Sequence, residues 1–206
     1  LLSIRVHNIR DHGLGPHRSV DDAPYGGGPG MVMRVDVVAN AIEQVRGNTG
    51  QVIYLDPAGE PFQQTVAQSL VAHDHLVLLC GHYEGVDARI LALVDRSISM
   101  GDYVVTGGEI AACAVVDAVA RLHEGVLGNP QSSLDESFAS GLLEYPQYTR
   151  PRMWREHEVP EVLLSGNHQR VSSWRQSAAE ERTKRVRPDL WEVWCNADVD
   201  AEPSTE

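Results

Sequence analysis

The sequence predicts an α/β domain built around a largely parallel sheet, followed by a small, mainly helical domain. Strand-like and helix-like segments alternate through the first 128 residues, which is the arrangement of α/β domains. The run HLVLLC at residues 75–80 is apolar throughout, as expected for a strand buried on both faces of a parallel sheet. Beyond Gly128 the sequence becomes polar and rich in turn residues, so we place the domain boundary there.

The first domain, residues 1–128, begins with an alternating pattern. Leu2, Ile4 and Val6 alternate with polar residues, which predicts a half-buried strand over residues 1–9. The loop DDAPYGGGPG follows, and apolar residues at helical spacing then predict a helix over residues 35–45 that Gly47 ends. The remaining predicted elements are strands at 51–55, 75–80 and 96–100 and helices at 63–71, 86–94 and 110–122.

The rest of the chain divides into three predicted parts. Residues 129–141 form a linker, residues 142–191 a small helical domain with a helix at 168–187, and residues 192–206 an acidic tail. Tyr148 and Trp154 either contact a ligand or form the core of the small domain, and for Trp154 we expect the core. Six basic residues between positions 170 and 189 accompany three acidic ones, which predicts either a local basic patch or a solvated helix face.

Composition and charge restrict the function classes. The formal net charge of −12 argues against a protein that coats nucleic acid through its overall field. No segment approaches the roughly 20 apolar residues that span a bilayer, and nothing resembles a signal peptide. Cys80, Cys113 and Cys195 are far apart, which argues against a zinc site or a disulfide framework and favours the cytoplasm.

Three loops that directly follow predicted strands contain glycine or proline: YLDPAG (54–59), GHYEG (81–85) and MGDYVVTGG (100–108). Ligands of α/β proteins bind at the carboxyl ends of the strands, and glycine lets the backbone approach them closely. Together these loops predict a small-molecule pocket lined by backbone, although ordinary turns are also rich in glycine. GGGPG lacks the Lys and Ser/Thr of a phosphate-binding P-loop, and we find no GxGxxG or HExxH motif.

Longer motifs occur in one order along nearly the whole chain. They are DDAPYGGGPGMVM, CGHYEGVD, SMGDYVVTGGE, VLGNPQSSLDESF, YPQYTRP and VPEVLLSGNH. With them, residues 1 to about 190 closely resemble the bacterial tRNA (guanine-37-N1)-methyltransferases of the TrmD type. The chain begins without Met, and we expect the strand and helix that family members carry ahead of this point to be absent from it.

The resemblance implies a SPOUT-type fold in which these loops form a deep trefoil knot around S-adenosylmethionine. True knots are nearly absent from proteins, so the pattern alone does not predict one. The residues implied to surround the methyl donor are Tyr54, Leu55, Pro57, Gly81, Tyr83, Glu84, Gly85, Met100, Gly101, Asp102, Tyr103, Val104, Val105, Gly107 and Gly108. The resemblance also implies a tRNA substrate, a homodimer and a dependence on Mg²⁺, with no metal ligands identified in the sequence.

Guanine N1 becomes nucleophilic only as its proton leaves, so the reaction needs a base and a positive group near O6. By resemblance these are Asp135 in LDESF and Arg121 in DAVARL. Spacing alone gives each a structural alternative, because Asp135 lies in a capping-box pattern and Arg121 lies near the end of an apolar helix. The residues implied in tRNA binding are Tyr25, Glu144, Arg150, Ser165 and His168, and the same segment offers Tyr148, Arg152 and Arg155 as further contacts to tRNA.

Four positions depart from the common family pattern. Met100 and Val105 replace apolar residues of similar size and should be tolerated. His82 stands where arginine is frequent and lacks its permanent charge, and Glu144 stands where aspartate is common.

Two other functions are compatible with the same fold. A SPOUT methyltransferase that acts on a different RNA would not need DDAPYGGGPG or the pair Arg121 and Asp135. A non-catalytic RNA-binding relative would not need to retain that pair together with all the pocket glycines.

Overall fold

A computed structural model of the chain describes residues 2–126 and 136–200, and the chain divides into two compact units, Leu1–Gly128 and Asn129–Glu206. The first unit contains, in chain order, β1 (Asp21–Asp22), β2 (Val32–Met33), α1 (Val35–Arg46), β3 (Gln51–Pro61), α2 (Gln64–Leu70), β4 (Leu76–Cys80), β5 (Arg96–Ser99) and α3 (Glu109–Ala120), with 3-10 helices at Ile9–His12 and Ala88–Leu93. The second contains β6 (Met153–Trp154), β7 (His157–Glu158), a 3-10 helix at Glu161–Leu164, α4 (His168–Val186) and α5 (Pro188–Asp200).

The centre of the first unit is a three-stranded parallel sheet in which β3 lies between β4 and β5. Ile53 and Leu55 pack with α2 and α3 on one face, whereas Val52 and Tyr54 pack with α1 on the other. This alternation follows the two-residue period of a strand. Because both faces are covered, β4 can be apolar throughout, as the sequence indicated. The predicted α/β class with a parallel sheet is confirmed.

The strand predicted over residues 1–9 is wrong. Residues 2–8 belong to no strand, and a 3-10 helix follows at Ile9–His12. Val6 is 96% exposed, and Leu2 and Ile4 are also exposed. Alternation predicts a strand only where one face is covered, and among the described residues of this segment only His7, beside His12, and Ile9, which packs near α1, are partly buried.

Two other predicted elements differ in form. The strand expected at 51–55 continues as β3 to Pro61. The helix expected at 86–94 is instead a 3-10 helix, Ala88–Leu93, which Asp87 caps by accepting a hydrogen bond from the Arg89 amide. Ile90 is fully buried there, so one apolar anchor is enough to fix this short turn against the sheet.

In the second unit α4 and α5 pack against each other. Thr183 of α4 is fully buried, donates to the Ala179 carbonyl at 2.7 Å and accepts from the Leu143 amide at 2.9 Å. Trp191 and Trp194 stack with their ring centroids 5.2 Å apart. α5 runs from Pro188 to Asp200, so the segment predicted as an acidic tail from residue 192 begins within this helix.

Candidate active site

The three loops identified from the sequence leave the sheet at one edge. Because β3 lies between β4 and β5, the carboxyl ends of the three parallel strands are adjacent. The loops at residues 81–85 and 100–108 follow the ends of β4 and β5, and residues 56–59 leave β3 at the same level, after Leu55, which pairs with Cys80 and Ile98. This is the edge at which α/β proteins bind ligands. The structure thus brings the loops together as neighbours.

The first loop is a bulge within β3 rather than a turn that follows the strand. Leu55 and Glu60 both align with Ile98 of β5, so residues 56–59 bulge from the sheet and the strand then resumes its pairing. A Cβ on Gly59 would lie 2.5 Å from the Ile98 amide nitrogen. Glycine is required there, because the clash would be with backbone rather than with a movable side chain.

The second and third loops pack backbone against backbone. The Gly108 amide donates to the Gly81 carbonyl at 3.0 Å, and His82 forms an isolated antiparallel bridge with Gly107. A Cβ on Gly108 would lie 2.8 Å from the Cα of Cys80, whereas one on Gly107 would meet only the ends of side chains. The absence of a side chain at Gly108 therefore allows the two loops to approach each other.

Tyr54 connects the first loop with the second. It is only 5% exposed, and a Cβ on either Gly81 or Gly85 would lie 3.2 Å from its hydroxyl oxygen. Burial, followed by the charge of Asp56 and a hydrogen bond to it, raises the pKa of Tyr54 to about 12. The phenol is therefore neutral at neutral pH.

Large apolar side chains are exposed on the second and third loops. They are Tyr83 on the second loop and Tyr103, Val104 and Val105 on the third, with Val104 89% exposed. Met100, at the start of the third loop, packs against the core between the sheet, α2 and α3. A group of exposed apolar side chains on neighbouring loops is typical of a binding site, and it favours a ligand with an apolar or aromatic part.

The three loops are acidic. Asp56, Glu84 and Asp102 lie on them, and they contain no Lys or Arg. Glu109, which begins α3, has Oε1 2.5 Å from Nε2 of His82. Burial raises the pKa of Glu109, but the His82 hydrogen bond and the helix backbone outweigh burial, and the net pKa lies below its ordinary value. Carboxylates without arginine or lysine favour a cationic ligand.

The DDAPYGGGPG loop joins β1 to β2 and lies beside the second loop. The Glu84 amide donates to the Met31 carbonyl at 3.1 Å, and the Glu84 side chain covers Gly30. Gly30 has a φ of +83°, which favours glycine over any residue with a Cβ. Tyr25, 99% exposed, projects from this loop into solvent.

Other predicted site residues lie elsewhere. Arg121 directly follows α3, which starts at the end of the third loop and has 12 residues, so about 18 Å of helix separates Arg121 from that loop. Asp135 lies outside the described residues. Of the residues implied in tRNA binding, Tyr25 belongs to the first unit, and Glu144, Arg150, Ser165 and His168 belong to the second.

Sequence reasoning missed two features. The first is the hydrogen-bond contact of His82 with Glu109, which are 27 residues apart. The second is a cavity of about 340 Å³ in the second unit, lined by Arg152, Glu161, Val162, Leu164, Ser165 and Arg170. Ser165 and Arg152 were identified by resemblance as residues that hold tRNA, whereas Arg170 was noted only as one of the six basic residues between positions 170 and 189.

The fold and the site define an α/β protein suited to bind a partly apolar, cationic small molecule at the carboxyl edge of its sheet. Residues 1–193 match the family described as tRNA (Guanine-1)-methyltransferase TrmD. The chain therefore belongs to the tRNA (guanine-1)-methyltransferase family, a family of enzymes, and the identification made from its motifs is confirmed.

Individual relatives are similar over most of their length. A tRNA (guanine-N(1)-)-methyltransferase of Moorella thermoacetica is 55% identical over 194 residues, which cover 92% of this chain and 78% of that protein. A protein of the same name from Thermus thermophilus is 54% identical over 190 residues, covering 92% and 79%. That from Dictyoglomus turgidum is 50% identical over 192 residues, covering 93% and 78%.

Membership of this family implies S-adenosylmethionine as the methyl donor, and the described residues fit that molecule. It combines an adenine ring with positive sulfonium and ammonium groups. The exposed aromatic and aliphatic side chains suit the ring, and the acidic lining suits the cations. The glycines leave backbone amides and carbonyls accessible to its polar atoms.

We expect His82→Ala to weaken S-adenosylmethionine binding modestly. The substitution removes the hydrogen-bond contact with Glu109 that connects the second loop to the start of α3. Both side chains are about half exposed, and exposed pairs contribute roughly 0.2–1 kcal/mol, so the expected loss of affinity is about 1.5- to 5-fold. Titration calorimetry measures it, with the exposed residue His73, before β4, replaced by alanine as the control. A loss of tRNA affinity with donor affinity unchanged would instead make His82 an RNA contact.

Proposed function

We propose that this protein transfers a methyl group from S-adenosylmethionine to N1 of guanosine 37 in tRNA. The observation that carries the proposal is the set of three glycine-rich loops at one sheet edge, with apolar side chains and carboxylates exposed on them. Relatives named for methylation of guanine N1 in tRNA support the choice of reaction.

The three loops hold the methyl donor, in a SPOUT-type trefoil knot. Tyr54, Gly81 and Gly108 fix the loops against one another, and the backbone of residues 100–105 faces the ligand. S-adenosylmethionine supplies a methyl group already activated by its positive sulfur. The protein's contribution to this half of the reaction is therefore to orient the donor and exclude water, which lowers the entropic part of the barrier.

Asp135 and Arg121 act on the guanine. Asp135 accepts the proton of N1, so that the nitrogen lone pair becomes available for methylation. Arg121 stabilises the negative charge that develops on O6 as the proton leaves. Both roles follow from the positions of the two residues in the LDESF and DAVARL motifs.

A second copy of the chain completes the site. About 18 Å of α3 separates Arg121 from the donor loops within one chain, which favours a homodimer in which residues of both protomers meet at the guanine. Among the described residues no group of three or more His, Cys, Asp or Glu side chains is placed to hold a metal ion, so we assign no residue to Mg²⁺. No described helix is both long and apolar enough to cross a membrane. We propose a cytoplasmic location, where tRNA is modified.

The second unit supplies much of the tRNA-binding surface. Residues 144–187 contain nine Lys and Arg residues against six Glu, whereas the whole chain has a net charge of −12. Glu144, Arg150, Ser165 and His168 belong to this segment, and Tyr25 of the first unit adds a separate contact. A local excess of positive charge on an acidic protein confines most RNA binding to one region.

The test is methyl transfer from labelled S-adenosylmethionine to a tRNA transcript with guanosine at position 37. A matched transcript with adenosine at that position is the control. We expect incorporation into the first transcript alone, at N1 of the base. Methyl on a ribose oxygen or at another position would identify a SPOUT methyltransferase with a different RNA target. Binding of the donor and of tRNA without incorporation would identify a non-catalytic relative.

A further inference from the structure

An exposed tryptophan stands at the end of a small hairpin in the second unit. β6 and β7 pair with Trp154 opposite His157, joined by the two-residue turn Arg155 and Glu156. Trp154 is 58% exposed, which contradicts its expected place in the core. Tryptophan is enriched at interfaces, because its ring is apolar while its N–H can remain in contact with water, so an exposed indole is a candidate contact for a partner.

Arg155 lies over the indole of Trp154. Its guanidinium carbon is 4.5 Å from the ring centroid, which is the geometry of a cation–π contact. Arg155 has a φ of +54°, a conformation that costs a residue with a Cβ roughly 1–2 kcal/mol. The two side chains thus present a flat, positively charged aromatic surface on a short turn.

Arg152, at the open end of the same hairpin, lines the cavity of about 340 Å³. The Val159 amide donates to the Arg152 carbonyl at 3.0 Å, so strand pairing extends to Arg152. Arg152 and Trp154 are two residues apart along the strand, so their Cα atoms lie about 7 Å apart. The indole and the cavity are therefore within the span of one nucleotide.

The cavity has the groups that recognise a phosphate. Arg152 forms an ion pair with Glu158 at 2.8 Å, whereas the Arg170 guanidinium makes no ion pair or hydrogen bond among the described residues. The Ser165 hydroxyl also lines the cavity but donates to the Val162 carbonyl at 2.7 Å. Glu161 is the one carboxylate in the lining. Arg170 is therefore the main group available to a phosphate, because arginine binds phosphate oxygens through several directed N–H groups. Arg152 can add the N–H groups that do not bond Glu158.

We propose that this hairpin and cavity bind one unpaired nucleotide of tRNA. The base stacks on Trp154 and Arg155, and its phosphate enters the cavity between Arg152 and Arg170. Single-stranded RNA is commonly recognised in this way, by bases stacked on aromatic rings and guanidinium planes. The inference rests on the proposed tRNA substrate and adds to it a nucleotide-binding site at residues 152–170.

The test is tRNA affinity of the full chain, with S-adenosylmethionine affinity measured in parallel. Stacking on one aromatic residue contributes about 1–3 kcal/mol, so Trp154→Ala should weaken tRNA binding about 5- to 150-fold, and Trp154→Phe should restore most of it. Val193→Ala, at an exposed apolar residue of α5, should have no effect. Thermal unfolding should be unchanged, because the indole is exposed. If the Ala variant is nevertheless unstable, the tRNA affinity of the Phe variant tests the proposal, and a Phe variant that binds tRNA no better than the Ala variant would contradict stacking.

The phosphate contact has its own test. Arg170→Ala should weaken tRNA binding and reduce the slope of log affinity against log salt by about one, as expected for one lost phosphate contact. Arg185→Ala removes one positive charge from the same helix, at a residue that does not line the cavity, and should weaken tRNA binding less. Unchanged tRNA affinity in both Trp154→Ala and Arg170→Ala would overturn the nucleotide site and leave the proposed function intact. Failure of the unaltered protein to bind tRNA would overturn the proposed function itself.

Discussion

Replacing Asp135 with asparagine should abolish most methyl transfer while leaving the fold and donor binding intact. The amide is nearly isosteric with the carboxylate but cannot accept the N1 proton. A general base supplies about 10²–10⁴-fold, so single-turnover rates at saturating donor and tRNA should fall by that factor. Calorimetry with S-adenosylmethionine and thermal unfolding should give unaltered values.

A purely structural Asp135 predicts the opposite outcome. Asparagine caps a helix about as well as aspartate does, so the variant would retain near-normal chemistry. In that case the base would have to be sought at Glu144 or Glu84.

If both proposed roles hold, Arg121→Ala should also slow turnover. The rate of the double variant should fall by less than the product of the two single losses, because both groups act on one transition state.

Gly108→Ala should reduce S-adenosylmethionine affinity far more than Gly107→Ala. The added Cβ at Gly108 would lie 2.8 Å from the Cα of Cys80, so the second and third loops must separate. At Gly107 it would meet the ends of the His82 and Glu109 side chains, which can rotate away. Overpacking against backbone costs about 1–3 kcal/mol, or roughly 5- to 150-fold if the cost falls on the donor-binding conformation.

Calorimetry on the two variants side by side measures this difference. Urea unfolding of each variant shows whether the Gly108 variant is folded under the conditions of the titration. Equal donor affinity in two folded variants would mean that the close approach of the second and third loops plays no part in holding the donor.

The parallel sheet could be predicted because its strands are determined by local pattern. β4 is an unbroken apolar run, and α1 shows helical spacing up to Gly47. Residues 1–9 have an equally clear alternation, yet they form no strand. A strand depends on a partner and a covered face, neither of which a local pattern encodes.

The loops of the candidate site could be located, but not their contacts. Glycine after three strands marked the carboxyl edge of the sheet. The pairing of His82 with Glu109 and the fit of Tyr54 beneath Gly81 each join residues 27 positions apart, and only the fold brings them together. Trp154 was expected in the core because large aromatic residues are usually buried, whereas β6 and β7 hold it outside.

The bulge at residues 56–59 of β3 restricts where residues can be inserted into this chain or deleted from it. Surface loops generally tolerate inserted or deleted residues. Residues 56–59 are bounded on both sides by pairing with Ile98, so one residue more or fewer must either reshape the bulge or slip the pairing of Glu60 and Pro61. A slip of one position would turn every later side chain of β3 to the opposite face and break the ion pair of Glu60 with Arg96. The side chains of residues 56–59 can therefore be substituted, but a residue can hardly be inserted into this segment or deleted from it.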